Sequence, residues 1–346
     1  MRVTVLSFAK INLGLRIGAL RPDGFHELRT VYQTIALHDT IHVSVGRGSG
    51  IEIRCDDSRV PTDETNTCYR IVERAMQVLK ARGRVQIEIE KRLPVQGGLG
   101  GASGNAVAAL LALELALKKN LSGEERLRIA ARVGSDLPLF LVGGTVLGVG
   151  RGEEVYPLPD LPPMPCVIAL PEIAVSTPRA FADWDRLCGE VARPQMAVSD
   201  TNTLLNSKLT SPSHSDRMLE FSREISAWLS AVPVGSSRRR SGVSAKGGGR
   251  AENPLLDLVR TGIENDFEKV VFPQYPELRE VKRVLEAAGA RYASLSGSGS
   301  AVYGLFDSRE KAAAAEKKLD EQGTRSVLTN ALTRRQYWKK LLAVSS

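Results

Sequence analysis

Residues 84–117 read RVQIEIEKRLPVQGGLGGASGNAVAALLALELAL. Val85, Ile87 and Ile89 alternate with polar residues, which is the period of a strand with one face buried. The apolar run from Ala106 to Leu117 predicts a buried helix. Between the two, GGLGGASG at 97–104 holds five glycines. Where a strand feeds a helix through such a loop, side chains no longer block the backbone N–H groups. The free N–H groups and positive end of the helix point the same way, and a polyphosphate fits there. Two known loop patterns are excluded. GxxxxGK[ST] needs a Lys directly after its second glycine, and no Lys follows until Lys118. A GxGxxG frame begun at Gly98 and Gly100 would put Ser103 where the third glycine belongs. A tight strand-to-helix connection without ligand stays open. On that reading Ser103 caps the helix; on the other its hydroxyl reaches phosphate or Mg²⁺.

Upstream, Val3, Val5 and Phe8, then Ile41, Val43 and Val45, then Ile51 and Ile53 mark short alternating strands. Tyr69, Val72, Met76 and Leu79 recur at helical spacing, so a helix capped by Asn66 is expected to run to about Ala81. Downstream, Ser122 and Glu125 form a capping box for a helix through Val133, which leaves Asp136 of GSDLPLF in a turn. A glycine-punctuated strand spans 144–150, and YPLPDLPPMP at 156–165 carries five prolines. That stretch reads as a linker with a boundary near Pro157, giving domains at 1–157 and 158–346. In the second half, CVIAL is a strand, and Thr177 is expected to cap a helix with Pro178 in its first turn. A helix from Pro276 to Ala288, a strand, SGSGS, a strand from Ala301 to Phe306 and a helix from Ser308 to Leu319 complete an α+β unit. Residues 234–251, VGSSRRRSGVSAKGGGRA, form a basic insert low in apolar content and expected to be mobile.

At 346 residues, 42% hydrophobic and 25% charged, the chain can bury separate cores for two domains and is not broadly disordered. It has no uninterrupted apolar window of the ~20 residues a membrane span needs. Lys10 and Asn12 sit where a signal peptide would be apolar, so a cytoplasmic setting without a membrane partner is expected. The net charge of +8 includes five positive charges from 234–251 and falls to +3 without them, so no nucleic-acid partner is expected. Cys55, Cys68, Cys166 and Cys188 show no CxxC spacing, which points to buried or half-buried thiols and to neither zinc nor disulfides.

PVQGGLGGASGNA resembles the phosphate-binding motif of the GHMP kinase superfamily, which includes galactokinase, homoserine kinase and mevalonate kinase. AKINLGL at 9–15 and SLSGSGSAVYGLF at 294–306 resemble its other signatures, in the same order. Within the superfamily, residues 9–41, containing RPDGFHEL, are similar to the family of 4-diphosphocytidyl-2-C-methyl-D-erythritol kinases, as are GSDLPLF at 134–140, STPRAF at 176–181 and NDFE at 265–268. The resemblance covers most of the chain outside about 205–255.

It implies an α+β, two-domain GHMP kinase fold with the active site in the cleft. The N-terminal domain would be ribosomal protein S5 domain 2-like, with a left-handed strand-helix-strand element, and the C-terminal domain a ferredoxin-like α/β sandwich. It also implies ATP with Mg²⁺, 4-diphosphocytidyl-2-C-methyl-D-erythritol as the small-molecule substrate, and a monomer or homodimer. Asp136 would be the base, with Lys10 beside it. ATP would be held by Pro94, Val95, Gln96, Gly97, Gly98, Leu99, Gly100, Gly101, Ala102, Ser103 and Gly104, and by Asn66 near its adenosine. The substrate would meet Asn12, Phe25, His26, Thr177, Pro178, Phe181, Gly297 and Gly299. No clustered carboxylates mark a protein metal site.

The sequence departs from the family at Phe25, where Tyr is usual, and at Gly104, where a second Ser is common. At position 104 either a hydroxyl contact to phosphate is missing or a backbone N–H replaces it. Plainer alternatives remain for single residues: Asp136 as a turn or capping group, Lys10 as a solvent-facing edge-strand lysine, His26 as a structural histidine and Asn66 as a cap. Asn265 and Asp266 fit substrate contact or hydrogen bonding between domains. For the whole chain the rivals are another small-molecule kinase of the superfamily, or a nucleotide- or RNA-binding module on the same fold.

Overall fold

The computed structural model describes residues 2–192, Met218, Phe221 and 264–342; the basic insert at 234–251 lies outside the described residues. The first two N-terminal runs are parts of two long strands, β1 (Arg2–Leu20) and β2 (His26–Gly46), paired antiparallel. Their register shifts at Phe8/Ala9, Asn12/Gly14 and Ile17/Leu20. Such bulges bend a strand and re-aim its side chains. With β1 along one edge, β2 pairs through Thr40–Gly46 with β4 (Arg84–Glu90) and through Thr30–Gln33 with β5 (Thr145–Val149). β3 (Ile51–Cys55) and β6 (Glu154–Pro157) close the two ends, and β3 runs parallel to β4.

Helices α1 (Thr67–Val78), α2 (Gly101–Leu117), α3 (Gly123–Val133) and α4 (Leu137–Val142) join this sheet in one core. Val5, Ile41, Val43 and Ile87 of the sheet meet Ile71, Leu110 and Leu113 of the helices there. The Ser122–Glu125 capping box forms as read from the sequence. α2 is apolar on all sides because it is buried between the sheet and its neighbouring helices.

The second sheet is antiparallel, in the order β10 (Ser326–Asn330), β7 (Pro165–Ala169), β9 (Val302–Leu305), β8 (Tyr292–Leu295). With α5 (Thr177–Ala192), α6 (Glu268–Gln274) and α7 (Pro276–Ala287) between β7 and β8, and α8 (Arg309–Glu321) before β10, the strand order 4-1-3-2 is ferredoxin-like, as expected. Trp184, Phe272, Leu278, Phe306 and Leu319 lie in its core. A last helix, α9 (Arg334–Leu341), was not expected; it returns to the first core through Tyr337 and Leu341, where the Tyr337 hydroxyl donates to Phe140 O at 2.7 Å.

A third cluster joins the sheets: Ala9, Ile11 and Leu13 of β1 pack with Ile168 and Tyr303. Leu158, Leu161 and Met164 of the proline-rich stretch belong to it. Asn265 donates to Leu295 O and Gly297 O at 2.8 and 2.7 Å, and Asp266 accepts from the Ile17 N–H at 2.9 Å. Asp266 therefore bonds the two halves of the molecule together, while Asn265 holds the 295–297 turn within the second half. Among the described residues no helix is long and apolar enough to cross a membrane. Cys68 and Cys166 are buried, and Cys55 and Cys188 half-buried.

Candidate active site

Gly98 carries φ +73°, and a Cβ added there would lie 2.1 Å from Ser296 O, so the glycine-rich loop touches the 296–300 turn backbone to backbone. The Ser296 hydroxyl donates to Gly98 O at 3.0 Å and the Ala301 N–H to Gly97 O at 3.2 Å. Gly100, at φ +69°, sits at the N-cap of α2 with no side-chain cap, and a Cβ there would meet Lys10 Cγ and Phe140 Cζ at 3.0 Å. The first turn of α2 therefore keeps its N–H groups for a ligand. Ser103 lies inside that turn, so the capping role is corrected, and the residue lines the cavity beside the loop.

A cavity of about 330 Å³ opens against this loop, lined by residues 94–103 with Asn66, Cys68 and Asn105. Gly104 is not among its lining residues. A Cβ at 104 would meet Phe8 O and Ser7 Oγ at 2.9 Å, and its N–H already donates to Gly100 O at 2.8 Å. The position serves close packing of α2 on β1, which corrects the expectation of a phosphate contact there. Asn66 caps α1 by accepting from Cys68 N at 2.8 Å, and its amide nitrogen donates back to Pro61 O in the preceding loop at 2.6 Å. Burial pushes the Cys68 thiol up to about 12.

Asp39, a residue the sequence reading missed, anchors the start of the loop. Fully buried, it accepts from Lys91 Nζ, Arg92 N and Leu93 N at 2.7 Å each and from Asn105 Nδ2 at 2.9 Å. Its one sequence signal is an acid interrupting the strand pattern of IALHDTI.

A second cavity, of about 640 Å³, holds Lys10, Asn12, Phe25, His26, Asp136, Thr177, Pro178, Phe181 and Gly297 on its walls. Gly98 and Gly100 line both cavities. Lys10 is 3% exposed, so it is not a solvent-facing edge lysine. Its Nζ donates to Asn12 Oδ1 at 2.6 Å and lies 3.6 Å from Asp136 Oδ2. Burial lowers the Lys10 pKa, and the Asp136 carboxylate opposes that shift. Asp136 makes no capping bond to α4; its Oδ1 accepts from the Tyr32 hydroxyl at 3.0 Å. Burial, and then the Asp136 charge, push the Tyr32 phenol well above its usual range. Tyr32 carries no local sequence signal as a site residue, because its partner lies 104 positions away.

Asn12 is committed on both sides, to Lys10 and, through Nδ2, to the Thr30 hydroxyl at 2.8 Å, so it steadies the lysine. The His26 ring stacks on Phe181 with centroids 5.0 Å apart, and its Nε2 lies 2.7 Å from Asp185 Oδ1. Phe25 is half exposed, with the Arg151 guanidinium 4.8 Å from its ring. Thr177 is the first residue of α5 and not its cap: Ser176 O receives the Ala180 N–H at 2.9 Å, and the Thr177 hydroxyl pairs with that of Ser298 at 2.7 Å. Gly297 belongs to the cavity, where a Cβ would stand 3.5 Å from Lys10 Nζ. Gly299 is not among its lining residues, and a Cβ there would meet Leu295 at 3.0 Å, so its glycine serves the packing of the 296–300 turn. Among the described residues no group of three His, Cys, Asp or Glu side chains is placed to hold a metal ion.

Residues 66–144 match the family profile described as GHMP kinases N terminal domain, and 252–325 that described as GHMP kinases C terminal. The chain is 36% identical over 344 residues to the 4-diphosphocytidyl-2-C-methyl-D-erythritol kinase of Solibacter usitatus (strain Ellin6076), covering 97% of this chain and 92% of that protein. Identity to the enzyme of the same name from Acaryochloris marina (strain MBIC 11017) is 34%, over 89% of this chain and 88% of the relative. Among solved structures, a 4-(cytidine 5'-diphospho)-2C-methyl-D-erythritol kinase superposes with a TM-score of 0.65 at 28% identity, over 95% of this chain and 98% of that one.

Proposed function

Because the chain belongs to the GHMP kinases and, within them, to the 4-diphosphocytidyl-2-C-methyl-D-erythritol kinases, we propose that it transfers the γ-phosphoryl group of ATP to the 2-hydroxyl of 4-diphosphocytidyl-2-C-methyl-D-erythritol. The products are the 2-phosphate and ADP, and the step belongs to the non-mevalonate route to isoprenoid precursors. One observation carries this reading: the loop that cradles polyphosphate shares Gly98 and Gly100 with the cavity that holds Lys10 and Asp136. A donor phosphate and an acceptor alcohol bound in the two cavities meet across that shared wall.

Phosphoryl transfer depends on alignment and on charge neutralisation more than on covalent chemistry. Asp136 takes the hydroxyl proton as the new P–O bond forms, with Tyr32 fixing one carboxylate oxygen and Lys10 beside the other. The Lys10 ammonium, held by Asn12, stabilises charge on the acceptor oxygen. His26, Phe181 and the exposed face of Phe25 offer stacking surfaces for a cytosine ring. Mg²⁺ offsets charge on the phosphate oxygens when bound. Beside the loop the described residues supply the Ser103 hydroxyl and no carboxylate cluster, a donor set that fits an ion carried on the nucleotide.

The test is ADP release by the full chain with ATP and, in turn, the cytidyl substrate, homoserine and mevalonate. Release dependent on the cytidyl substrate is expected. Turnover of homoserine or mevalonate in its place would assign the chain to another kinase of the superfamily, and ATP binding without turnover of any of them would leave a binding module.

A further inference from the structure

Arg151 has no part in the mechanism above, yet it lines the cavity that holds Lys10, Asp136 and Phe25. It stands in the turn between β5 and β6, where Gly150 and Gly152 have φ of +69° and +99°. That turn is fixed on the site. The Leu28 N–H donates to Gly150 O at 2.6 Å, and a Cβ on Gly152 would lie 2.5 Å from Tyr32 Oη and 4.0 Å from Asp136 Oδ1. One neighbour of Arg151 thus abuts the Asp136 pair, while its own guanidinium lies over Phe25 at 4.8 Å. The residue stands between the end of the cavity where phosphate is transferred and the end where aromatic rings gather.

Glu153 orients the side chain, its Oε1 accepting from Arg151 Nε at 3.0 Å and its Oε2 from the Arg151 N–H at 2.6 Å. Both terminal guanidinium nitrogens are left without a hydrogen-bond partner among the described residues. The other cation of the cavity, Lys10, is already engaged by Asn12 and Asp136. A planar cation backed by an aromatic ring and steered through Nε presents two adjacent N–H edges, which match the oxygens of a phosphate.

We propose that Arg151 holds the diphosphate bridge of the cytidyl substrate, a specificity role that rests on the function proposed above. A substrate with its cytosine at the aromatic end and its alcohol at Asp136 must carry that bridge through the space between them, and the cation there is Arg151. Glu153 acts as its positioning residue.

Calorimetric titration of the full chain with CDP and with cytidine, in wild type, Arg151→Ala and Arg151→Lys, tests this alongside steady-state kinetics. Wild type should prefer CDP to cytidine by about tenfold or more, as expected for charge-assisted hydrogen bonds to phosphate. Arg151→Ala should lose most of that preference with cytidine affinity unchanged, raising KM for the cytidyl substrate but not for ATP. Arg151→Lys, which keeps the charge without the fork, should fall between. Equal weakening of CDP and cytidine in Arg151→Ala would reduce Arg151 to a support for Phe25 and overturn the assignment. A full CDP preference in a variant of an active enzyme would overturn it too, while sparing the kinase reading. A wild-type chain that neither binds CDP nor turns over the cytidyl substrate overturns both.

Discussion

Replacing Asp39 with alanine removes an acceptor shared by four donors: the Lys91 ammonium, two backbone N–H groups and the Asn105 amide. The Asp39 side chain is fully buried and that of Lys91 only 8% exposed, so little water stands ready to replace the carboxylate. Breaking a buried ion pair from one side costs about 3–5 kcal/mol, and each buried donor left unmet about 1–3 kcal/mol, contributions that overlap. A net loss of about 4 kcal/mol is expected, a large part of the ~5–15 kcal/mol that separates folded from unfolded states. Arg92 and Leu93 lead into the loop and Asn105 lies in the helix that follows it, so ATP affinity should fall together with stability. Urea unfolding followed by fluorescence, together with ATP titration of the folded variant, measures both. A stability change under about 1 kcal/mol with ATP affinity intact would show that the loop does not depend on this carboxylate.

Asp136→Asn should lower kcat by about 10²–10⁴-fold, the range for a lost general base, with ATP affinity nearly unchanged; wild-type turnover in the variant would remove Asp136 from the chemistry. Lys10 should lose its proton below the ordinary lysine value of 10.5, and Asp136→Asn, which deletes the opposing charge, should lower that value further, as NMR titration of Nζ would reveal. Because its folded pKa lies below the unfolded one, the unfolded chain binds this proton more tightly. Burial of Lys10 therefore costs stability in full below its folded pKa, and the cost fades as pH rises toward 10.5. Phe181→Ala, which removes the partner stacked on His26, should raise KM for the cytidyl substrate more than KM for ATP; the reverse order would contradict the placement of cytosine. Gly98→Ala puts a methyl group 2.1 Å from Ser296 O at a positive φ, and ATP binding retained at wild-type strength would deny that this contact shapes the loop.

The strand at 84–90 was legible from its period of two, the loop from its glycines and the helix after it from an unbroken apolar run, and the capping box at Ser122 because its residue types and spacing suffice. The lengths of β1 and β2 were not. Bulges break the alternation at Phe8/Ala9 and Asn12/Gly14, and Ala9 to Ile17 are buried on both faces, so no period of two survives there. α9 has a capping box of its own at Thr333 and Gln336, but the charged run RRQYWKK that follows shows no apolar stripe, and its packing comes from docking through Tyr337 onto Phe140, nearly 200 positions earlier. Shorter but still long separations hid Tyr32, Asp39 and Arg151, whose importance lies in partners that only folding brings near. Ser103, Gly104 and Thr177 show the converse: a motif locates a segment, but which atoms face the cavity depends on the packing behind it.

The wall that Gly98 and Gly100 share between the two cavities bears on inhibitor design. A single compound with a purine nucleoside at one end and a pyrimidine nucleoside at the other could occupy both chambers through one tether. Seating the first end would raise the effective concentration of the second to the millimolar range when the tether length matches the span. Affinity would then grow without new contacts, and compounds with tethers too short to cross the glycines would bind by one end alone.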